Sequence, residues 1–426
     1  MKPILPNRRS VLTRMTAAAL AAPGILRSTR AYAQSPTVKV GFVTPSSGPL
    51  AGFAEADDHV IEGLRTHFAG GVTNNGKSWN IEIVKKDSQS NPNRAAEVAA
   101  ELILDEEVDI VTAAATPDTT NPVADQAELN EVPCITTDAP WQPYFFGRNG
   151  DPAAPFEFTY HFFWGLEDVI ANFLSLWHDA GVAKNVAGLF PNDADGNAWG
   201  DPELGFPKPL KNFGYALTDP GRYQPLTDDF SSYIGAFKDA GCEIVTGVMI
   251  PPDFATFWAQ AAQQDFRPKV ATIGKALLFP SSVEALGERG DGLTSEIWWS
   301  PHHPFESSLT GISAAKLAAD YSEATGRPWT QPIGFKHALF EVVADVVSRA
   351  EDMDDPGAIA AAIRETSIDT IVGKVDWSGG PVANVSKTPL VAGQWQRAGD
   401  GSLSLEITTN AHAPIIPTTS ELRLLS

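Results

Sequence analysis

The sequence contains only two cysteines, and it has far fewer basic than acidic side chains. Cys134 and Cys242 lie on separate predicted strands, so we predict two buried free thiols rather than a disulfide. No run of about 20 apolar residues follows the first 33 residues, so no membrane-spanning helix is predicted there. The 31 basic and 52 acidic residues give a net charge of -21, which excludes nucleic acid and anionic membrane surfaces as partners.

The first 33 residues have the features of a secretory signal peptide. They hold six basic and no acidic side chains, the moderately apolar stretch "AAALAAPGIL", and an A-x-A motif that ends at Ala33. Arg8 and Arg9, followed by "SVL", resemble the twin-arginine export signal, and an ordinary secretory signal is the alternative. The residue directly after Ala33 is Gln34 rather than a cysteine, so a lipid anchor is not expected. We therefore expect cleavage near Ala33 and a periplasmic protein of net charge -27, with 25 basic and 52 acidic residues.

Strands and helices alternate along most of the remaining chain. Apolar runs of strand length separate segments with helical periodicity between residues 38 and 138, and again between residues 167 and 274. The intervening stretch over 140–155 is rich in loop-forming residues. This alternation predicts an α/β fold with parallel sheets flanked by helices, and about 390 residues suit two domains. The last part is predicted to contain three helices and a hairpin, at residues 312–325, 335–351, 356–366 and 389–410.

The segment from Gly71 to Ser78, "GVTNNGKS", matches the phosphate-binding pattern G-x-x-x-x-G-K-[ST] at every position. That pattern binds phosphate only where a strand enters the loop and a helix leaves it. Here a predicted helix enters and a predicted strand leaves. Gly70 and Gly71 are expected to end the helix, and Asn74, Asn75 and Gly76 to lie in a turn. The sequence therefore predicts no nucleotide site.

No common catalytic or metal-binding motif occurs in the sequence. G-x-S-x-G, H-E-x-x-H, G-x-G-x-x-G and C-x-x-C are all absent, which disfavours an enzyme. His302 and His303 are adjacent but have no third ligand nearby. Asp193 and Asp195 have calcium-like spacing, but Ala198 stands where a calcium loop requires glycine. We therefore predict no metal site and no cofactor.

Four loops that follow predicted strands are rich in polar and aromatic side chains. In parallel α/β sheets, ligands collect beyond the carboxyl ends of the strands. A hydroxyl or carboxyl group before a helix is also an ordinary N-cap. Several such loops on one edge of a sheet, with aromatic residues among them, favour a binding cleft. The candidate residues in these loops are Ser47, Thr116, Asp118, Thr119, Asp138, Trp141 and Trp199.

Three segments carry a resemblance to a known family. They are "VKVGFVTPSSGPLAGFAEADDHVIEGLRTHFAGGV", "IEIVKKDSQSNPNRAAEVAAELI" and "DIVTAAATPDTTNPVADQAELNEVPCITTDAP". They resemble the periplasmic substrate-binding proteins of the leucine/isoleucine/valine type, and the resemblance extends from about Val38 to Trp395. The SGPLA turn and the D-x-x-x-N-P-x-x-A segment are its most specific parts.

The resemblance implies a two-lobed, monomeric protein that closes on a small ligand and presents it to an ABC permease. Lobe 1 should comprise residues 37–157 and 298–373, and lobe 2 residues 158–297 and 374–426. Three hinge crossings should join the lobes, near Phe158–Phe163, Ile297–Ser300 and Val372–Trp377.

The resemblance also implies roles for individual residues. Ser47, Thr119 and the stretch around Asp138 should hold a ligand carboxylate, while Phe53 and Trp199 should contact the body of the ligand. Amino-acid binders of this type carry an acidic residue after the strand "KVATIG", and this chain has Lys275 there. A buried ligand ammonium opposite a lysine is unfavourable by several kcal/mol.

The sequence therefore favours a small organic acid of aromatic or hydroxylated character as the ligand. Asp118 and Asp138 leave a cationic or hydroxylated ligand open, because each can accept a hydrogen bond. An amino acid or amide-type solute is the alternative ligand, and a ligand-sensing receptor module is the alternative function. Neighbouring genes for ABC permeases would separate transport from sensing.

Overall fold

Strands and helices alternate in this computed structural model, which describes residues 35–425. The predicted signal peptide and its arginines lie outside the described residues. The strands are β1 (Thr37–Thr44), β2 (Val72–Asn74), β3 (Lys77–Asp87), β4 (Ile110–Ala114), β5 (Cys134–Thr137), β6 (Thr159–Phe162), β7 (Asn185–Leu189), β8 (Ala216–Thr218), β9 (Ile244–Met249), β10 (Val270–Lys275), β11 (Thr294–Ile297), β12 (Ser367–Thr370), β13 (Gly373–Asp376), β14 (Val385–Ser386), β15 (Val391–Arg397) and β16 (Leu403–Thr409).

Helices connect most of these strands, and Pro often occupies the first helical turn, where its missing N–H is not needed. The helices are α1 (Asp57–Phe68), α2 (Pro92–Leu104), α3 (Pro117–Leu129), α4 (Trp141–Phe145), α5 (Leu166–Ala180), α6 (Ala194–Trp199), α7 (Pro207–Asn212), α8 (Ser231–Asp239), α9 (Pro251–Gln263), α10 (Pro280–Glu284), α11 (Ala314–Thr325), α12 (Pro332–Arg349) and α13 (Pro356–Arg364).

Residues 35–425 form two seven-stranded sheets and one small hairpin of β12 and β13. The first sheet has the order β14-β6-β5-β4-β1-β3-β2, and the second has the order β16-β15-β11-β10-β9-β7-β8. All pairs in the first sheet are parallel except β2 with β3. In the second sheet only β15 pairs antiparallel, with β11 and β16. Each sheet with its helices forms one lobe, which confirms the predicted two-lobed α/β fold.

The chain passes between the two sheets after β6, β11 and β14. β11 ends at Ile297, whereas the strands beside the other two predicted boundaries, at residues 158 and 374, lie outside the second sheet. Residues 159–162 form β6 and pair with β5 in the first sheet. Residues 373–376 form β13, which pairs with β12 in a hairpin. They therefore do not form a strand of the second sheet. The third crossing instead follows the two-residue strand β14 and spans residues 387–390.

The segment that resembles a phosphate-binding loop is a β-hairpin. β2 and β3 pair antiparallel, with Asn74 opposite Lys77. The two residues between the strands, Asn75 and Gly76, have φ of 49° and 75°. Positive φ at both central positions is typical of the type I′ turn that Asn-Gly favours. The predicted turn is therefore confirmed, and no helix follows it.

Helix α12 is central to the first lobe. Side chains on all of its faces are buried from Pro332 to Val347, and it packs against α1, α11, α13 and β5. A helix that is apolar all round is expected to be buried in this way. Lys336 is a basic residue in the middle of this helix, and its side chain is 1% exposed. A buried ammonium group needs neighbouring groups that compensate its charge.

Three smaller features bear on the sequence predictions. Residues 140–155 contain the short helix α4, although a loop was predicted there. Cys134 and Cys242 are both buried and free, as predicted, and belong to different lobes. Among the described residues, no helix combines the length and the apolar character needed to cross a membrane.

Candidate functional site

A small cavity lies where the two sheets direct the carboxyl ends of their strands towards each other. Its volume is about 30 Å³, enough for one or two water molecules. An organic solute can therefore enter only if the lobes move apart or the lining side chains rearrange. The first lobe, the second lobe and the crossing segments all contribute to the lining, which consists of Phe53, Thr116, Asp138, Pro140, Phe163, Trp164, Asp195, Trp199, Val248, Lys275, Leu278, Glu296 and Trp298.

The first lobe places Thr116 and Asp138 in this lining, because each follows the end of a strand. Thr116 precedes α3, and Asp138 follows β5 with a φ of 68°. The Lys336 ammonium lies 3.2 Å from the Asp138 carboxylate and donates to the Ala114 carbonyl at 2.6 Å. Both members of this ion pair are almost fully buried. Lys336 itself does not line the cavity, but its charge compensates the Asp138 carboxylate, which does.

The second lobe places Lys275 in the lining at the end of β10. Its ammonium lies 2.7 Å from Asp195 Oδ2 and 3.4 Å from Asp193 Oδ2. Asp193 is the N-cap of α6, where its side chain also accepts from the Gly196 N–H at 2.7 Å. Lys275 is therefore buried, and both of its acidic neighbours come from one short helix. Its positive charge is balanced within the lobe.

A carboxylate stands close to the position at which the sequence shows only Lys275. Glu296 Oε1 accepts from the Lys275 backbone N–H at 3.1 Å, and Ser295 Oγ donates to Glu296 Oε2 at 3.0 Å. Glu296 reaches this place from β11, which is the neighbour of β10 in the sheet. The acidic residue beside Lys275 therefore comes from the adjacent strand and not from the sequence around Lys275.

Glycine at position 274 allows Trp199 to approach β10. A Cβ atom there would lie 2.6 Å from Trp199 Cη2, which is closer than real contacts allow, and 3.3 Å from Glu296 Oε2. On its other side the Trp199 indole stacks on Phe206, with ring centroids 5.2 Å apart. The indole is thus held between a bare strand backbone and an aromatic ring.

Several buried polar atoms in the lining have no hydrogen-bond partner among the described residues. They are the hydroxyl of Thr116 and the indole nitrogens of Trp164, Trp199 and Trp298. Neither Asp138 oxygen accepts a hydrogen bond of good geometry, although Lys336 lies within ion-pair distance. Buried polar groups are normally satisfied, so such a concentration around one cavity is typical of a site built for a ligand.

Burial dominates the titration of the carboxyl groups in the lining. It raises the pKa of Asp138 to about 6, against the opposing effect of Lys336. It raises the pKa of Glu296 to about 7, and it also raises that of Asp195 beside Lys275. The carboxylates Asp193, Asp195 and Asp118 outweigh burial at Lys275 and hold its pKa above the ordinary value. A solute that stabilised the ionised carboxylates would therefore gain binding energy.

Two contacts join the lobes beside the cavity. Asp118 Oδ1, on α3 of the first lobe, accepts from the Ala194 N–H of the second lobe at 3.3 Å. The Phe53 and Phe279 rings meet edge to face, with centroids 5.1 Å apart. These contacts are made in a closed arrangement of the lobes, and both must break when the lobes separate.

The structure brings together five of the residues that the sequence singled out: Phe53, Thr116, Asp138, Trp199 and Lys275. Asp118 lies beside the cavity as a contact between lobes. The other three predicted residues make contacts elsewhere. Ser47 is exposed and donates to Asp87 at 2.7 Å, Thr119 bonds within the first turn of α3, and the Trp141 indole donates to Glu167 at 3.1 Å.

The site residues that lie inside strands, inside helices or on the segments that cross between the lobes were not identified from the sequence. Glu296 lies inside a strand, Lys336 lies inside a helix, and Phe163, Trp164 and Trp298 lie on crossing segments. A signal existed for Lys336, because a lysine within a largely apolar helical segment needs a buried partner. Within residues 35–425, no group of three His, Cys, Asp or Glu side chains is placed to hold a metal ion.

Comparison with known proteins agrees with this architecture. A family model described as "Periplasmic binding protein" matches residues 37–400. The leucine-binding protein LivK of Thermotoga maritima superposes with a TM-score of 0.70 at 20% identity, covering 88% of this chain and 99% of that one.

Two further structures were solved with ligands. LivJ of Streptococcus pneumoniae, in complex with isoleucine, has a TM-score of 0.66 at 17% identity and covers 87% and 99% of the two chains. A solute-binding protein of an ABC transporter from R. palustris, in complex with 4-hydroxybenzoate, has a TM-score of 0.70 at 17% identity and covers 91% and 97%. With the family model spanning most of its length, the chain belongs to the periplasmic binding protein family.

Proposed function

We propose that this chain is the extracytoplasmic solute-binding component of an ABC importer. It captures a small organic solute between its lobes and presents the closed complex to permease subunits in the membrane. The observation that carries this proposal is the cluster of unpartnered polar atoms on Thr116, Trp164, Trp199 and Trp298 around one cavity between the lobes. A purely structural interface would leave these groups unsatisfied at a cost of about 1–3 kcal/mol each.

The fold alone does not define the chemical class of the solute, because structures with the same fold hold different ligands. The neighbour with 4-hydroxybenzoate supports the predicted organic acid. The neighbour with isoleucine supports the amino-acid alternative, as does Glu296 beside Lys275. The aromatic side chains suit the apolar body of either ligand.

Thermal unfolding of the purified mature chain against a library of acids, amino acids, amides, amines and polyols tests the proposal. A ligand at a hundred times its dissociation constant adds about 2.7 kcal/mol to the unfolding free energy. The best ligand should also change the tryptophan fluorescence, because Trp164, Trp199 and Trp298 line the cavity. The expected result is one chemical class that stabilises the protein at micromolar concentration.

Matched variants locate the binding. Thr116→Val and Trp199→Phe should each weaken the best ligand about tenfold, since each removes one hydrogen-bonding group from the lining. Thr256→Val and Trp258→Phe make the same changes outside the lining and should leave the affinity unchanged. Equal affinity in all four variants would refute binding in this cavity.

A further inference from the structure

We infer that the solute is a small organic ammonium ion that also carries a hydroxyl or carbonyl oxygen, and that its charged nitrogen lies beside Asp138 and Glu296. This inference rests on the proposed function and names the chemical class of the same site. It departs from the organic acid that the sequence favours.

The side chains that line the cavity include more acidic than basic groups. Asp138, Asp195 and Glu296 line it, and Lys275 is the one basic side chain in the lining that the described residues provide. The ammonium of Lys275 is already held by two carboxylates, at 2.7 Å and 3.4 Å. A carboxylate on the solute would therefore enter a region of excess negative charge without a free positive partner.

The second basic group near the site is also engaged. Lys336 lies behind the lining, where it pairs with Asp138 and donates to the Ala114 carbonyl. Asp57, which is fully buried nearby, adds a further carboxyl group whose pKa burial raises and Lys336 lowers. One lysine thus faces two carboxyl groups in the first lobe, so this side of the cavity also lacks positive charge.

The aromatic lining suits a cation. Five aromatic side chains line the cavity, and a cation over the face of an aromatic ring is attracted most strongly where water is excluded. These side chains are Phe53, Phe163, Trp164, Trp199 and Trp298.

The unpartnered donors define the other end of the solute. The three indole N–H groups of Trp164, Trp199 and Trp298 can only donate, and none has an acceptor among the described residues. An oxygen on the solute satisfies at least one of them. A small molecule with an ammonium group and an oxygen atom therefore matches the carboxyl groups and the indole N–H groups of the lining.

Calorimetry with pairs of equal shape and different charge tests the charge directly. Choline is compared with its neutral isostere 3,3-dimethylbutan-1-ol, and benzylammonium with benzyl alcohol. Ethanolamine, 4-hydroxybenzoate and isoleucine complete the panel. At least one ammonium probe should bind, and it should bind tenfold or more tightly than its neutral counterpart.

Two conservative variants place the charge. Glu296→Gln keeps the acceptor for the Lys275 N–H, and Asp138→Asn uses the residue type that best tolerates a φ of 68°. Each should weaken the ammonium probe tenfold or more. Asp265→Asn makes the same charge change on an exposed side chain with a φ of 58° and should have no effect.

The outcomes separate this inference from the proposed function. Binding of 4-hydroxybenzoate or isoleucine, with no binding of any ammonium probe, would overturn the inference and leave solute binding intact. A neutral isostere that binds as tightly as its ammonium counterpart would also overturn it. Failure of every probe and of the whole library would count against both.

Discussion

Lys275 Nζ lies 2.7 Å from Asp195 Oδ2 in the wall of the interlobe cavity, and both side chains are at most 5% exposed. A buried ion pair of this kind contributes little relative to an apolar pair, but removing one partner leaves an uncompensated charge. Lys275 therefore acts mainly as the counter-ion of Asp193 and Asp195 at the start of α6.

Lys275→Met should lower the free energy of unfolding by about 3 kcal/mol, because it strands the carboxylates of Asp193 and Asp195. The double variant Lys275→Met/Asp195→Asn should recover at least half of that loss. Urea unfolding at pH 7 measures both effects. Lys316→Met removes a lysine from an exposed pair with Asp320 and should cost less than about 1 kcal/mol. If the double variant were less stable than the single one, the charge-balance argument would be wrong.

The bare backbone at Gly274 gives a second test of the site. Gly274→Ala places a methyl group 2.6 Å from the Trp199 ring, so the indole must move. Overpacking of this kind costs about 1–3 kcal/mol. We expect a shift in tryptophan fluorescence and a weaker affinity for any solute of this cavity. Gly235→Ala, on α8 with no atom within 4 Å of the added carbon, should be neutral or slightly stabilising.

The sequence predicts the layers of this fold well, because the pattern of apolar residues is a local property. β1, α2 and β10 were all located from that pattern. Lobe boundaries depend on which strands pair across long separations, and the two-residue strand β14 gives no local signal. The stretch from Gly373 to Asp376 has the apolar alternation of a sheet strand, yet it pairs in a hairpin. The sequence pattern located the strands, but it did not show which strands pair with each other.

The site was predicted in the same partial way. Thr116 and Asp138 could be found because they follow strands, where ligands of parallel sheets collect. Glu296 could not be found in this way, because it lies beside Lys275 only as a result of β10 and β11 being neighbours in the sheet. Ser47 was predicted both from its loop after β1 and from the family resemblance, but in this structure its hydroxyl donates to Asp87.

Nucleotides should not bind at the segment from Gly71 to Ser78. Its backbone is a hairpin, so its amide groups pair between β2 and β3 instead of converging on a phosphate. Mg-ATP at millimolar concentration should leave the thermal midpoint unchanged in the wild type and in Lys77→Ala. Gly76→Val should destabilise the protein by about 1–2 kcal/mol, because valine at a φ of 75° is strained. An ATP-dependent stabilisation lost in Lys77→Ala would contradict this interpretation.

Export should depend on Arg8 and Arg9. Replacing both with lysine keeps the charge but removes the guanidinium pair that the twin-arginine pathway requires. We expect uncleaved precursor to accumulate inside the cell, as measured by fractionation and mass determination of the N-terminus. Arg27→Lys/Arg30→Lys makes the same change near the other end of the segment and should be exported normally. Normal export of the first variant would favour the general secretory route.

His161 should make the folded protein sensitive to acid. Its Nε2–H donates to the Ala139 carbonyl at 2.7 Å, Nδ1 lies 2.8 Å from Thr136 Oγ1, and the ring stacks on Tyr144. Burial and the positive charge of Arg148 outweigh the hydrogen bond to Ala139 and lower its pKa from 6.5 to about 3. Between these two values the unfolded chain binds a proton that the folded chain does not.

The sign of the pH effect follows from that difference in bound protons. The contribution of neutral His161 to stability is present above pH 6.5 and is lost as the pH falls towards 3. Lowering the pH from 7 to 5 should cost about 2 kcal/mol through this one group. His161→Gln keeps a donor for Ala139 but does not titrate, so its unfolding free energy should fall by about 2 kcal/mol less over that interval. His178→Gln, at an exposed position of α5, should follow the wild type. Parallel pH profiles for the wild type and His161→Gln would show that this histidine is not neutral when folded.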